Sequence, residues 1–438
     1  MDWNAYNKRM EWYRHDRFGM FIHWGLYAIP ARGEWVRSNE KMTVQDYQKY
    51  FDAFDPIGYD PKAWARLAKH AGMKYAVLTA KHHDGFCLFD SKLTEYKATN
   101  TKAGRDLINE YVEAFRAEGI KVGLYFSIID WHHPDYPHYG DRIHPMRDNE
   151  AFKDHAKEEN FDRYLDYMHG QVRELCTNYG KIDVLWFDYS YDQMQGEKWR
   201  ATELVRMARS LQPGVIIDNR LEASGEGFGS LLSGNPSEYS GDFVSPEQII
   251  PPEGIVDQNG NPVAWEACIT MNNNWGYDVH CHNWKNAKTI VRKLVECVSK
   301  GGNMLLNVGP DAKGRFPAAS VKILTEVGDW MQRNGGSIYG CGISPIPRQP
   351  WGCITENEEA IFLHVYEATV GAVPIKGLKK EDFALVQFES DGAEIQLTTS
   401  WTTGNYPDYL YVPIGPNAFG SYALPDEIDT VIRMTKRK

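Results

Sequence analysis

No stretch of this chain approaches the roughly 18 consecutive apolar residues that a membrane-spanning helix requires, so a membrane partner is not expected. The opening residues, Asp2-Trp3-Asn4-Ala5-Tyr6-Asn7-Lys8, lack the apolar core of a secretory signal. Cysteine is sparse and unpatterned: seven residues, an odd number, with no CxxC spacing. Together these absences lead us to expect reduced thiols and a cytoplasmic location. A basic stripe is missing as well. The net charge is −11, and the one basic cluster, Lys436-Arg437-Lys438, ends the chain as a solvated tail, so nucleic acid is not an expected partner. Internal repeats and low-complexity segments are also lacking.

The chain is rich in aromatic residues, 13% of its length, with 14 Trp and 25 Tyr. Large rings fill cores, and their faces also stack on the C–H faces of sugars. Residues 181–190 contain an almost unbroken apolar run, Ile182 to Phe187, bounded by Gly180 and closed by Asp188. Such a run is expected as a strand buried on both faces. A carboxylate at its C-terminal end stands where barrels and open α/β sheets place their chemistry. Trp186 lies two residues before Asp188, on the same strand face, and is expected as a pocket wall.

Strand-like runs alternate with helical patterns as far as about residue 336. The strands are expected at Gly19–Trp24, Tyr75–Lys81, Lys121–Ile128, Asp183–Tyr189, Gly214–Asn219 and Asn303–Val308. Helices are expected at Pro61–His70, Leu107–Glu118, Phe161–Asn178, Trp199–Leu211, Ala287–Ser299 and Ser320–Arg333. Six such alternations imply an α/β fold with a mainly parallel sheet. The expected architecture is a (β/α)8-like (TIM) barrel, with room for irregularity, over residues 1–340. Two of its strands would be hidden in the Gly-, Ser-, Asn- and Pro-rich stretch 221–285, around Tyr239–Val244 and Val263–Thr270. After Gly340 the pattern changes to short β-type runs at Ala360–Tyr366, Phe383–Phe388, Glu394–Thr398 and Tyr409–Val412. These predict a C-terminal all-β sandwich over 341–438, bracing the barrel.

The strand ends carry His23-Trp24-Gly25, Lys81-His82-His83-Asp84-Gly85, Tyr125 with Asp130-Trp131-His132-His133, Trp186 with Asp188, and Asn219-Arg220. One face of one sheet would thus hold a carboxylate, several hydrogen-bond donors and aromatic walls. Two chemistries suit it. Metal hydrolysis would use histidine clusters, but His82 and His83 are adjacent and would point to opposite faces of a strand. Neither His132-His133 nor His280-Cys281-His282 has a zinc-ligand spacing. No metal and no cofactor are expected. Glycoside hydrolysis needs two carboxylates flanking the scissile bond. Asp188 is the natural first, with Glu247 or Glu266 on a loop at the same end as the second.

Ten stretches, in order over the whole first domain, are similar to the α-L-fucosidases of glycoside hydrolase family 29. They are Phe21-Ile22-His23-Trp24-Gly25, Gly33-Glu34-Trp35, Lys81-His82-His83-Asp84-Gly85-Phe86, Val122-Gly123-Leu124-Tyr125, Trp186-Phe187-Asp188, Asn219-Arg220, Gly241-Asp242-Phe243 with Pro246-Glu247, Trp265-Glu266, Trp275-Gly276-Tyr277, and Gly301 through Pro310. The resemblance implies a barrel followed by a β-sandwich, and a retaining exo-fucosidase acting on terminal fucosyl residues of fucosylated glycans. It implies Asp188 as nucleophile and Glu247 as acid/base. It implies His23, Glu34, His82, His83 and Arg220 as contacts to the sugar hydroxyls, and Tyr125 beside the nucleophile. Trp35, Trp186 and Trp275 would be apolar walls, Trp275 beside the fucose methyl. Where the family often has Tyr-Tyr-Ser this chain has Tyr125-Phe126-Ser127. Retention implies carboxyl groups about 5–5.5 Å apart. Two alternatives remain at this stage: a fucose-binding lectin without turnover, and a metal-dependent barrel hydrolase. Oligomeric state is not legible.

Overall fold

The computed structural model describes residues 3–223, 227–416 and 420–437. Seven strands form one parallel sheet: β1 (Phe18–Ile22), β2 (Tyr75–Lys81), β3 (Lys121–Ser127), β4 (Val184–Asp188), β5 (Ile216–Ile217), β6 (Glu266–Thr270) and β7 (Asn303–Val308). Their spatial order is β5-β4-β3-β2-β1-β7-β6. Residues 242–247 stand between the two ends of this order. Phe243 bridges to Asp218 beside β5, while Val244 and Glu247 bridge to Trp265 and Cys268, all in parallel sense. That segment fills the eighth position, so the expected barrel is present with one irregular member.

Apolar runs make these strands because both faces are covered. Outward side chains pack under helices at Pro61–His70, Leu107–Ala117, Phe161–Asn178, Ala201–Leu211, Ala287–Ser299 and Ala318–Asn334. Several helices start on a side-chain cap. Asp60, Asp106, Asn160 and Asn286 each accept from a backbone N–H three residues on, which satisfies one of the unpaired donors of the first turn. Among the described residues no α-helix joins β5 to 242–247, where Gly229–Leu232 forms a 3-10 turn, or that segment to β6.

Inward side chains form a separate cluster that includes Phe21, Tyr75, Tyr125, Trp186, Phe243 and Leu305. An N-terminal helix, Trp3–Asp16, buries Tyr6, Met10 and Tyr13 against it. Asn303, at the start of β7, donates to Tyr13 O at 2.8 Å, so this helix plugs the N-terminal mouth of the barrel. The opening residues are therefore structural, a role their polar surroundings hide: Tyr6, Met10 and Tyr13 form a narrow stripe among charged neighbours.

After Gly340 lies a four-stranded antiparallel sheet, β11-β13-β9-β8, and a two-stranded one, β10-β12. The strands are β8 (Gly352–Glu356), β9 (Ala360–Val365), β10 (Val373–Lys376), β11 (Phe383–Phe388), β12 (Tyr409–Val412) and β13 (Thr430–Lys436). Both sheets feed one apolar core, with Leu363, Val373, Val412 and Ile432 at its centre. Glu394–Thr398 is not a strand; Glu394 makes only an isolated bridge to Gln387. Lys436 is not simply solvated, because it ends β13 and donates to Glu356 Oε1 at 2.6 Å; Lys438 lies outside the described residues. The sheets are tied to the barrel by Arg292, whose Nε donates to Ile428 O at 2.9 Å, and by Trp330, whose Nε1 donates to Asp429 O at 3.0 Å. Among the described residues no helix is long and apolar enough to cross a membrane.

Candidate active site

The C-terminal ends of the strands surround a cavity of about 630 Å³. His23, Glu34, Trp35, His82, His83, Tyr125, Trp186, Asp188, Arg220, Glu247 and Trp275 all line it. Glu266 does not. Asp188 sits where β4 ends, so its backbone is still fixed by the ladder to Ser127 of β3 while its carboxylate leaves the sheet. The next residue, Tyr189, has a φ of +87°. A non-glycine residue pays for that conformation, and the turn takes the chain sharply off the strand behind the carboxylate.

Tyr125 donates its hydroxyl to Asp188 Oδ2 at 2.8 Å, and Arg220 donates Nη1 to Asp188 Oδ1 at 3.1 Å. Burial raises the Asp188 carboxyl to about 6; Arg220 pulls it down, the Glu247 charge pushes it up, and the Tyr125 hydrogen bond lowers it. The group is thus ionised at neutral pH yet poorly solvated, a suitable state for a carboxylate nucleophile.

Arg220 is itself held on every arm. Its Nε donates to Ser245 Oγ at 2.8 Å and its Nη2 to Ser245 O at 3.1 Å and Glu247 Oε2 at 3.0 Å. Ser245 in turn donates its N–H and its hydroxyl to Asn219 Oδ1. The guanidinium lies 4.8 Å over the Trp186 ring, a cation–π contact. Glu247 is the more open of the two carboxylates, its side chain 40% exposed against 14% for Asp188. A group that exchanges protons with a leaving oxygen and with water needs that access.

The histidines are neutral acceptors aimed into the cavity. Ser127 Oγ spends its hydrogen on Ile129 O at 2.8 Å, so at 2.8 Å from His83 Nδ1 it must accept. The proton is therefore on Nδ1, and Nε2 faces Asp188 Oδ2 with a lone pair at 3.9 Å. Two acceptors so placed suit a hydroxyl donor. His23 is oriented the same way, with Nδ1 2.7 Å from Asn307 Oδ1, while Asn307 donates Nδ2 to Trp275 O at 2.8 Å. Burial lowers His23 to about 3 against that hydrogen bond, and lowers His82 and His83 well below the usual range. His82 Nδ1 is buried without a protein partner, a strong demand for a ligand hydrogen bond. Glu34 accepts from Gly276 N–H at 2.8 Å, and burial raises its carboxyl.

The expectation that His82 and His83 point to opposite faces fails. β2 ends at Lys81, so strand alternation no longer applies, and the two rings lie 4.1 Å apart, both on the cavity. Asp84 and Asp130 cap local turns. Asp84 accepts from Tyr47 and from Phe86 N–H, and Asp130 from Lys81 and from the N–H groups of His132 and His133.

Glu266 is a barrel-core residue. It accepts from Tyr75 OH and, at 3.4 Å, from Trp186 Nε1. Burial raises its carboxyl to about 7, against the lowering effect of the Tyr75 and Trp186 hydrogen bonds. Residues not foreseen also reach the cavity: Arg142, the loop Tyr189–Asp192 with Gln195, and Glu222 with Ser230. The run Tyr189–Asp192 follows Asp188 directly, and Glu222 and Ser230 belong to the Gly-, Ser-, Asn- and Pro-rich stretch 221–285.

The family model described as Alpha-L-fucosidase matches residues 1–336. Among solved structures, the chain is similar to alpha-L-fucosidase isoenzyme 1 from Paenibacillus thiaminolyticus, with 59% identity and a TM-score of 0.94 over 99% of this chain and 100% of that one. It is also similar to a GH29 alpha-L-fucosidase from Bacteroides thetaiotaomicron, with 30% identity and a TM-score of 0.83 over 98% of this chain and 96% of that one. That structure holds a trapped covalent intermediate, in complex with 2-fluoro-fucosyl fluoride, obtained using a glutamate-to-glutamine mutant. Among curated proteins, the alpha-L-fucosidase of Dictyostelium discoideum is 27% identical over 94% of this chain and 93% of its own length. The match of the family model across the barrel, with the cavity it encloses, establishes that this chain belongs to the alpha-L-fucosidase family of glycoside hydrolases.

Proposed function

We propose that this chain is a retaining exo-α-L-fucosidase acting on terminal α-L-fucosyl residues of fucosylated glycans, with Asp188 as nucleophile and Glu247 as acid/base. Asp188 attacks the anomeric carbon as Glu247 gives its proton to the departing glycosidic oxygen. The fucosyl–Asp188 ester is then opened by water, whose proton Glu247 takes up. The observation that carries this reading is the shared guanidinium. Arg220 fixes one oxygen of Asp188 and one of Glu247 on the same cavity wall, whereas Glu266 lies beneath it. His23, His82, His83 and Glu34 offer acceptors and a carboxyl group for sugar hydroxyls, and Trp35, Trp186 and Trp275 supply apolar faces. The metal-hydrolase reading lacks a ligand set at the cavity: among the described residues, the His, Cys, Asp and Glu side chains close enough to share an ion are His138, His155 and Glu159, none of which lines it. The seven cysteines are unpaired, which supports work in a reducing compartment such as the cytoplasm.

The deciding experiment is Asp188→Gly, assayed on an aryl α-L-fucoside. Turnover should fall by at least about 10³-fold, since a covalent path without its nucleophile keeps only binding and acid catalysis. Azide should restore aglycone release through a fucosyl azide of inverted configuration. Near-wild-type turnover by the variant would refute the assignment.

A further inference from the structure

Between β3 and the helix Phe161–Asn178 the chain runs with two 3-10 turns, Glu150–Phe152 and His155–Lys157, as its regular structure. A connection of this length needs side-chain ties to keep one shape, and it carries Arg142 to the cavity rim. Three ligand-type residues meet inside it. His138 is buried, and its Nδ1 lies 2.9 Å from Glu159 Oε1. His155 presents its ring edge-on to His138, centroids 4.7 Å apart. One ligand atom from each of His138, His155 and Glu159 lies within 4.8 Å of the other two.

Each member is already oriented. His155 Nε2 is 3.0 Å from Pro134 O, so that nitrogen carries the proton and the other keeps its lone pair. Metal-ligating histidines make this outer hydrogen bond almost without exception. Glu159 Oε1 also accepts from His138 N–H at 3.1 Å, which anchors the carboxylate to the loop. Phe152 stacks on His138 at 5.7 Å and His144 packs on it at 4.2 Å. His144 is not a further ligand, because one ring nitrogen faces Trp131 O and the other accepts from Met146 N–H.

We propose that His138, His155 and Glu159 form a site for a zinc-class divalent cation that clamps the loop bearing Arg142. Two nitrogens and one carboxylate oxygen are a ligand set that zinc accepts, with water in the fourth position. Tetrahedral ligands at about 2.0–2.1 Å from zinc stand about 3.3 Å apart. The 2.9 Å His138–Glu159 pair need only open slightly as the cation displaces their shared proton to solvent. The site is structural, lies away from Asp188, and stands independently of the reaction assigned above.

The test uses the full chain, stripped with EDTA, desalted, and titrated with zinc chloride by calorimetry, with melting followed in parallel. Wild type should bind one zinc ion per chain and melt at a higher temperature when loaded. His155→Ala, which removes a partly exposed ligand, should lose both effects. So should Glu159→Gln, which keeps an acceptor for His138 N–H and so preserves the fold, as circular dichroism should confirm. Absence of zinc binding by the stripped wild type would overturn the proposal. So would equal binding by the two variants, because the ion would then sit elsewhere, for instance at His280-Cys281-His282.

Discussion

Arg220 donates Nη1 to Asp188 Oδ1 at 3.1 Å from the end of the neighbouring strand, and gives its other terminal nitrogen to Glu247. One guanidinium therefore sets the position of both carboxylates. Lysine has a single ammonium and cannot reproduce that fork. Arg220→Lys should lower kcat/KM on an aryl α-L-fucoside by about 100-fold, the worth of roughly two lost charge-assisted hydrogen bonds partly replaced. A loss under tenfold would show that the two carboxylates do not need the shared clamp.

The pH dependence follows from Asp188. Its carboxyl is raised to about 6 by burial, with the Glu247 charge adding to the rise. A protonated carboxyl does not attack, so kcat/KM should fall as pH drops through about 6. The check is a pH profile on a substrate whose leaving group needs no proton. Stability takes the opposite sign. A folded-state value above the unfolded 3.8 means the contribution to stability is full below the unfolded value and is lost as pH rises through about 6. Asp188→Asn should therefore raise Tm more at neutral pH than in acid.

Glu247 and Glu266 can be separated by leaving-group dependence. Removing a general acid penalises poor leaving groups most, so Glu247→Ala should steepen the dependence of kcat/KM on leaving-group pKa. Glu266→Ala should leave that slope unchanged. It strands the Tyr75 hydroxyl and the Trp186 indole N–H in the core, at about 1–3 kcal/mol for each unpaired donor. Thermal melts of the two variants should rank in the opposite order to their kinetic slopes.

Barrel closure and acid placement are coupled through Gly241. Its φ is +81°, and a Cβ there would stand 2.2 Å from Asp218 O, on the path that carries the chain into 242–247. Gly241→Ala should cost roughly 2 kcal/mol or more and reduce activity, because Glu247 ends the displaced segment. Gly260 has a φ of +83° with nothing within 4 Å. Gly260→Ala should show the smaller backbone cost alone and keep activity, as paired melts and assays would register.

Much of the barrel was legible because its signals are local. β2 and the helices Pro61–His70, Phe161–Asn178 and Ala287–Ser299 coincide with the runs and periods expected from sequence. The strand ends then named the cavity wall, since a parallel barrel brings all of them to one rim. What escaped lacks a local signature. The helix Trp3–Asp16 carries only three buried apolar side chains, and their partner surface is assembled from strands far along the chain. β8 and β10 have only five and four residues, and antiparallel partners from distant residues decide the pairing of β10 and β13.

The amino-acid order alone therefore determined the βα succession, the buried strand ending in Asp188, and the set of polar and aromatic residues at its neighbours' tips. Those follow from periodicity and from where apolar runs stop. Only the tertiary structure decided between Glu247 and Glu266 as the carboxylate on the cavity. Both belong to the barrel's irregular quarter, but Glu266 opens β6, deep under Trp186, whereas Glu247 ends the bridging segment at the rim. Depth along a strand is set by register with distant strands, which no local pattern encodes. The ring tautomers, the raised Asp188 and the fork of Arg220 depend in the same way on burial and on partners many residues away.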